Sequence, residues 1–246
     1  MRNCSTSLIC LDQTNIDPDF CDIMNAGNSR KHCNYNWAHA DFMDGHFVPR
    51  LGIAPEVIKH LREFYGDKII IDSHMMVDDP FTFADVVCPY SDYYMFHVEA
   101  VTDSMRTIQK VRKNWPNVKV GLYFNLSTNI LDYKYILPEI DCIGLMGISP
   151  GVLGTNSYSY IVTQKIRDYF DYKNEIEKDF NIELIPSEIF IDGSVNFETI
   201  PHYFKIGATT LVCGSSSIVK NAYNNDDNFQ HLIEMNIDKI EGSFNE

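Results

Sequence analysis

A TIM-type (β/α)₈ barrel of the α/β class is the fold this sequence predicts, on three observations. Eight short β-rich runs recur along the chain, segments with helical spacing separate most of them so that strand and helix are expected to alternate throughout, and 246 residues is a usual length for eight such units. An open doubly wound sheet would need fewer strands or a second domain. The runs fall at 7–11, 37–42, 69–74, 93–98, 118–125, 142–146, 189–192 and 211–214.

Taken in order, the first run is followed by an irregular polar stretch, 26–36 (AGNSRKHCNYN), whose Gly and Asn turn formers decorate the approach to the second strand. After the second strand, 55–65 carries Val57, Ile58, Leu61 and Phe64 at helical spacing. Past the fourth, 104–115 does the same with Met105, Ile108, Val111 and Trp115. The longest gap lies between the sixth and seventh strands, where a Gly/Ser/Pro-containing loop at 147–159 precedes a helix rich in Lys, Glu and Asp. Such a loop after a barrel strand is a lid candidate. No linker or low-complexity tract interrupts the chain, so residues 1–246 are expected to form one barrel domain with the polar insert at 26–36.

Composition narrows the function. With 45% hydrophobic side chains the chain can close a large core, and disordered or collagen-like classes are excluded. Twenty Lys and Arg stand against 34 Asp and Glu, a net charge of −14 that argues against a general nucleic-acid or anionic-membrane partner. Apolar runs fall far short of the ~20 residues a bilayer span needs. The N-terminus MRNCSTSLICLDQ lacks a signal-peptide core, so a cytoplasmic protein is expected. Seven cysteines, an odd count with no CxxC pair, read as reduced thiols, mostly buried, with Cys4 and Cys33 the ones expected near exposed loops.

In a barrel the chemistry sits where strands end and βα loops begin. Those ends present Ser7, His39 and Asp41, His74, His97, Asn125, Met146, Asp192, and Gly214 with Ser215, so nearly every strand delivers a polar group to one face. His39 and Asp41 are two apart on one strand and project to the same side, toward the axis if Ala38 and Ala40 face the helices. With His74 and Asp192 they make two imidazoles and two carboxylates converging from three strands. Nitrogen and hard oxygen together suit one divalent ion, Zn, Fe, Mn or Co, without choosing among them. Singly, a strand His is more often a bonded core residue and a strand-end Asp a helix cap; four together on the functional rim are not explained that way.

An ion flanked by two carboxylates has a natural use. It can polarise a ketone and an adjacent hydroxyl while one carboxylate removes a carbon-bound proton and the other supplies one to the opposite face. Met43, Met76 and Met146 lie at or just past strand ends, where they could line the reacting centre and keep water out. Met75 alternates with its neighbours and points to the helices. Gly193 with Ser194, Gly214 with Ser215 and Ser216, and Gly151 with Gly154 offer backbone N–H groups and hydroxyls to a phosphate without needing Lys or Arg. The first two sets follow strands seven and eight, where barrels recurrently bind one.

Read together, STSLICLD at 5–12, HADFMDGHFVP at 39–49, HMMV at 74–77, FHVEA at 96–100, GLYFN at 121–125, SPGVLG at 149–154, IDGS at 191–194 and GSS at 214–216 resemble the ribulose-phosphate 3-epimerase family, in its order and over about 6–219. The resemblance implies a ribulose-phosphate-binding barrel and a metal-dependent ketose-phosphate 3-epimerase, an isomerase acting on a phosphosugar. It implies His39, Asp41, His74 and Asp192 as ligands of one divalent ion, Mg included among the candidates, with Asp41 the proton acceptor and Asp192 the donor. Ser7 and His74 would contact the sugar. The phosphate would lie against Gly151, Val152, Leu153, Gly154, Gly193, Ser194, Gly214, Ser215 and Ser216. A homo-oligomer is implied as well.

SLICLD and DGS look closer to the allulose-6-phosphate branch than to the pentose enzymes, so the substrate pair is D-ribulose 5-phosphate with D-xylulose 5-phosphate, or D-allulose 6-phosphate with D-fructose 6-phosphate. The sequence departs from the family at Thr6 (usually Pro), Arg50 (usually Asn after VP), Leu126 (usually Pro) and in the lid, PGVLGT against PGFGGQ or PGFAGQ. Two other functions fit the barrel: a non-catalytic sugar-phosphate binder, and a phosphosugar aldolase or decarboxylase. The latter should carry a lysine on an inner strand, whereas Lys68 and Lys119 precede theirs.

Overall fold

The computed structural model describes residues 2–152, 158–180, 186–223 and 229–244. Eight parallel strands, β1 (Asn3–Ser7), β2 (Asn34–Met43), β3 (Ile70–Met76), β4 (Tyr93–His97), β5 (Lys119–Phe124), β6 (Cys142–Met146), β7 (Glu188–Asp192) and β8 (Thr210–Cys213), close in sequential order, with β8 paired back to β1. Around them lie α1 (Ile16–Gly27), α2 (Pro55–Tyr65), α3 (Pro80–Val87), α4 (Ser104–Asn114), α5 (Ser159–Phe180), α6 (Thr199–Lys205) and α7 (Phe229–Gly242). The fold is the predicted TIM barrel.

Period-two alternation sorts the strand side chains into two cores. Outward positions such as Ala38, Ala40, Ile71, Met75, Phe96, Leu122, Ile143 and Leu211 are buried against helix residues including Phe20, Ile58, Leu61, Ile108 and Ile166. Inward positions form a second cluster of Trp37, Tyr93, Met95, Tyr123, Cys142, Met146 and Phe190. The rings of Trp37, Tyr93 and Phe190 meet with centroids 5.2–6.0 Å apart and fill the lower half of the barrel. What the aromatics leave at the upper half is the space used below. Helix starts follow from local chemistry: Pro80 opens α3 behind Asp79, whose carboxylate accepts from Thr82 N–H at 3.0 Å, and Asp103 caps α4 through Met105 N–H at 3.1 Å.

Gly144 is set by a close approach rather than a turn. A Cβ there would meet the Tyr123 ring at 2.4 Å, and that ring stacks on His74 with centroids 3.8 Å apart. Gly144→Ala is therefore expected to destabilise the protein by about 1–3 kcal/mol through overpacking. Urea denaturation measures it, and an unchanged midpoint would show that the ring has room to move.

Three expectations are corrected. The first strand is Asn3–Ser7, not 7–11, and the apolar Leu8–Cys10 is a 3₁₀ turn. Its sequence, NCSTS, is polar and lacks the apolar or β-branched run that marks a strand. Those polar groups are consumed inside: Asn3 donates to Thr210 Oγ1 at 3.1 Å and Ser5 to Asp72 at 2.5 Å. Strand and helix do not alternate throughout, since β5 reaches β6 through 3₁₀ turns at Ile130–Tyr133 and Leu137–Glu139, where Pro138 and Asn129 favour short turns. Cys4 and Cys33 are buried, and the partly exposed thiols are Cys10 and Cys21. All seven cysteines are free. Among the described residues no helix is long and apolar enough to cross a membrane.

Candidate metal and acid–base site

Strand register assembles the site. His39 and Asp41 share the inner face of β2, and the β2–β3 pairing sets His39 beside Asp72 and Asp41 beside His74. From across the barrel β7 ends in Asp192, paired with Met146 of β6. One ligand atom from each of His39, Asp41, His74 and Asp192 falls within 4.8 Å of the other three. His39 Nε2 lies 3.2 Å from Asp41 Oδ1 and 3.7 Å from Asp192 Oδ2; His74 Nδ1 lies 3.3 Å and 3.1 Å from the same two atoms.

Each imidazole is oriented from behind. His39 turns Nδ1 to the carboxylate of Asp72, which also accepts from Ser5. His74 places Nε2 2.9 Å from His97 Nε2, and His97 Nδ1 lies 3.1 Å from Glu99. Burial, with the His74 charge, outweighs Glu99 and pushes His97 down to about 4, so it stays neutral. A neutral His97 that gives Nδ1–H to Glu99 accepts at Nε2, which leaves the proton of His74 on its Nε2 and frees Nδ1. Glu99 is itself fixed by Asn125 N–H at 2.9 Å and by the Thr128 hydroxyl. Such outer partners set the tautomer and ring orientation of metal-binding histidines.

The donor set fits a cation. His74 Nδ1 is buried and makes no well-directed hydrogen bond among the described residues; it faces the Asp41 and Asp192 oxygens across 3.3 and 3.1 Å, a convergence of donor atoms that a shared cation would satisfy. Burial would depress both imidazoles, yet Asp41 and Asp72 beside His39, and Asp192 and Asp41 beside His74, hold both above the usual histidine value. Burial would likewise raise both carboxylates, but the two imidazoles hold Asp41 below the usual range and Asp192 far below it. The pocket is thus poised for positive charge, and a divalent ion would displace the imidazole protons. His39, Asp41, His74 and Asp192 could hold such an ion.

Above the cluster opens a cavity of about 350 Å³. Asp41, Asp192, Met43, Met76 and Met146 line its depth, and Ser7 Oγ donates to Asp41 Oδ2 at 3.3 Å. Gly151, Val152, Gly193, Ser194, Gly214, Ser215 and Ser216 line its rim. Leu153 and Gly154 lie outside the described residues. Gly193 has φ +98° and Ser194 φ 54°, consecutive left-handed residues of which the serine carries strain at the rim. Among the described residues the N–H groups of Ser194, Ser215 and Ser216 meet no acceptor.

Three features were not recognised in the sequence. Asp72, in the middle of a strand, belongs to none of the motifs read above, although its spacing of two from His74 is a usable signal. The His97–Glu99 pair was visible only as a polar strand end. Arg50 was noted as a departure, yet it lines the cavity, whereas the rim had been expected to work without a basic group.

The sequence pattern of the Ribulose-phosphate 3 epimerase family matches residues 4–218. Ribulose-phosphate 3-epimerase of Serratia marcescens is 30% identical over 85% of this chain and 92% of its own. The enzyme of that name from Escherichia coli K12 is 33% identical over 72% and 75%, respectively, and the one from Methanocaldococcus jannaschii 28% over 82% and 80%. Among solved structures, phosphoribosyl anthranilate isomerase of Thermotoga maritima superposes with a TM-score of 0.59 at 14% identity, covering 98% of this chain and 100% of that one. A 3-hexulose-6-phosphate synthase gives 0.58 at 13%, covering 99% of each. At those identities the structures share the barrel and nothing finer.

Proposed function

The chain belongs to the ribulose-phosphate 3-epimerase family, is by that membership a ketose-phosphate epimerase, and we propose that it inverts C3 of its substrate by proton transfer between Asp41 and Asp192. The observation that carries this reading is the pair of carboxylates at the cavity floor, Asp41 and Asp192, each within ion-pair distance of both His39 and His74. Asp41 takes the C3 proton from one face, the electron pair moves onto the C2 oxygen as an enediolate, and a protonated Asp192 returns a proton to C3 from the other. The roles exchange in the reverse direction.

A divalent ion bound by His39, Asp41, His74 and Asp192 would supply Lewis-acid stabilisation of the oxygens at C2 and C3. The remaining work falls to the chain. Ser7 orients Asp41 and reaches the sugar, Met43, Met76 and Met146 keep water from the carbanion-like centre, and the rim around Gly151, Val152, Gly193, Ser194, Gly214, Ser215 and Ser216 receives the phosphate. No lysine lines the cavity among the described residues, which speaks against a Schiff-base aldolase.

Release of the C3 proton into D₂O, followed by ¹H NMR on metal-loaded protein with D-ribulose 5-phosphate and D-allulose 6-phosphate in parallel, tests the proposal. Exchange is expected with at least one sugar, and the faster one sets substrate length. The named relatives favour the pentulose, SLICLD and DGS the hexulose. Absence of exchange with both would favour a sugar-phosphate binder without turnover.

A further inference from the structure

We propose that Arg50 is the cationic clamp on the substrate's phosphate, an inference that rests on the epimerase reading and assigns its site a binding residue outside the Gly and Ser loops. The electrostatic problem is plain: a phosphate dianion must enter a chain of net charge −14 and settle above two carboxylates. Gly193, Ser194, Gly214, Ser215 and Ser216 offer only neutral donors. Arg50 lines the same cavity and is the one Lys or Arg among the lining residues described.

Its guanidinium is uncommitted. Arg62 pairs with Asp92 at 2.5 Å, Arg30 with Asp238 at 2.7 Å and Arg112 with Asp141 at 3.4 Å, whereas the half-buried Arg50 makes no ion pair or side-chain hydrogen bond among the described residues. Its backbone, by contrast, is firmly held. Asp44 bridges to Leu51, Gly45 N–H donates to Arg50 carbonyl at 3.1 Å, and Arg50 N–H to Val48 carbonyl at 2.8 Å. The Asp44 carboxylate ties the turn through His46 N–H at 2.8 Å and Phe47 N–H at 2.9 Å, and anchors it to the β3–α3 loop through Asp78 N–H at 2.8 Å.

This hairpin reaches over the barrel mouth. Val48 packs so tightly on Gly151 that a Cβ there would lie 2.6 Å from Val48 Cβ. Arg50 therefore sits on a braced arm that touches the β6 loop, a rim element for the phosphate. A planar guanidinium on a fixed backbone can pair bidentately with phosphate oxygens, and a dianion rewards that contact more than a sugar hydroxyl would.

The test is binding of inorganic phosphate to metal-loaded wild type, Arg50→Lys and Arg50→Asn, by calorimetry at several salt concentrations. The dissociation constant is expected to rise about 10–100-fold in Arg50→Asn, with a flatter salt dependence, and by less in Arg50→Lys. The kcat/KM for the phosphosugar should fall in the same order. An equal phosphate affinity and salt slope in wild type and Arg50→Asn, or no phosphate binding by wild type, overturns the clamp. Because phosphate binding is read without turnover, failure of C3 exchange with the affinity difference intact would overturn the epimerase chemistry and leave the clamp standing.

Discussion

Asp192→Asn protein is expected to fold normally and to exchange the C3 proton about 10²–10⁴-fold more slowly than wild type, and Asp41→Asn likewise. The amide keeps the volume of the carboxylate and one oxygen toward His74, 3.1 Å away in the parent, so packing is little disturbed. What it loses is the ability to carry a proton between solvent, sugar and the opposite face. Both carboxylates are also candidate ligands, so metal content has to be measured on the same samples. A fall in exchange that exceeds the fall in metal occupancy is the signature of a lost acid or base. Near-wild-type exchange in either variant would remove that residue from the proton path.

Asp72→Ala should do comparable harm without touching the cavity. Asp72 is buried and lies behind His39, receiving its Nδ1 side and the Ser5 hydroxyl. Deleting the carboxylate orphans both partners inside the barrel, at about 1–3 kcal/mol for each group left unpaired. His39 also loses what fixes its tautomer and ring angle, and loss of such a partner commonly weakens metal binding 10–100-fold. Thermal unfolding of the metal-free protein reads the first effect and competition with a chelator the second. Asp72→Asn can still accept from Ser5, so it should recover much of the stability and less of the metal affinity. Metal affinity equal to wild type in Asp72→Ala would show that β2 alone orients His39.

The two carboxylates and two imidazoles were legible before the fold was known because period two is a local property of a strand. Two residues apart on β2, His39 and Asp41 share a face wherever the strand goes, and Ala38 and Ala40, which alternate with them, face the helices. The three methionines followed by the same reasoning and do line the cavity. Where the reading failed, polarity misled it. NCSTS carries no run of apolar side chains, yet it is β1, because Asn3, Ser5 and Ser7 find partners inside the barrel that only closure with β2, β3 and β8 provides. Cys4 and Cys33 were placed near loops for the same reason and are buried.

Alternation, spacing and turn residues act over a few neighbours, so the sequence by itself determined the barrel, the strand ends that bear the chemistry, and the residue types of the site. Tertiary structure decided what depends on atoms far apart in the chain. Asp72 was chosen as the brace of His39 by β2–β3 register, and His97 with Glu99 as the brace of His74 by packing across β3 and β4. Arg50, a departure in a motif when read as sequence, was brought to the cavity by a hairpin braced on Asp44 and Gly151. Register and loop trajectory are set by the sum of many long-range contacts, none of which has a signature of its own in the order of residues.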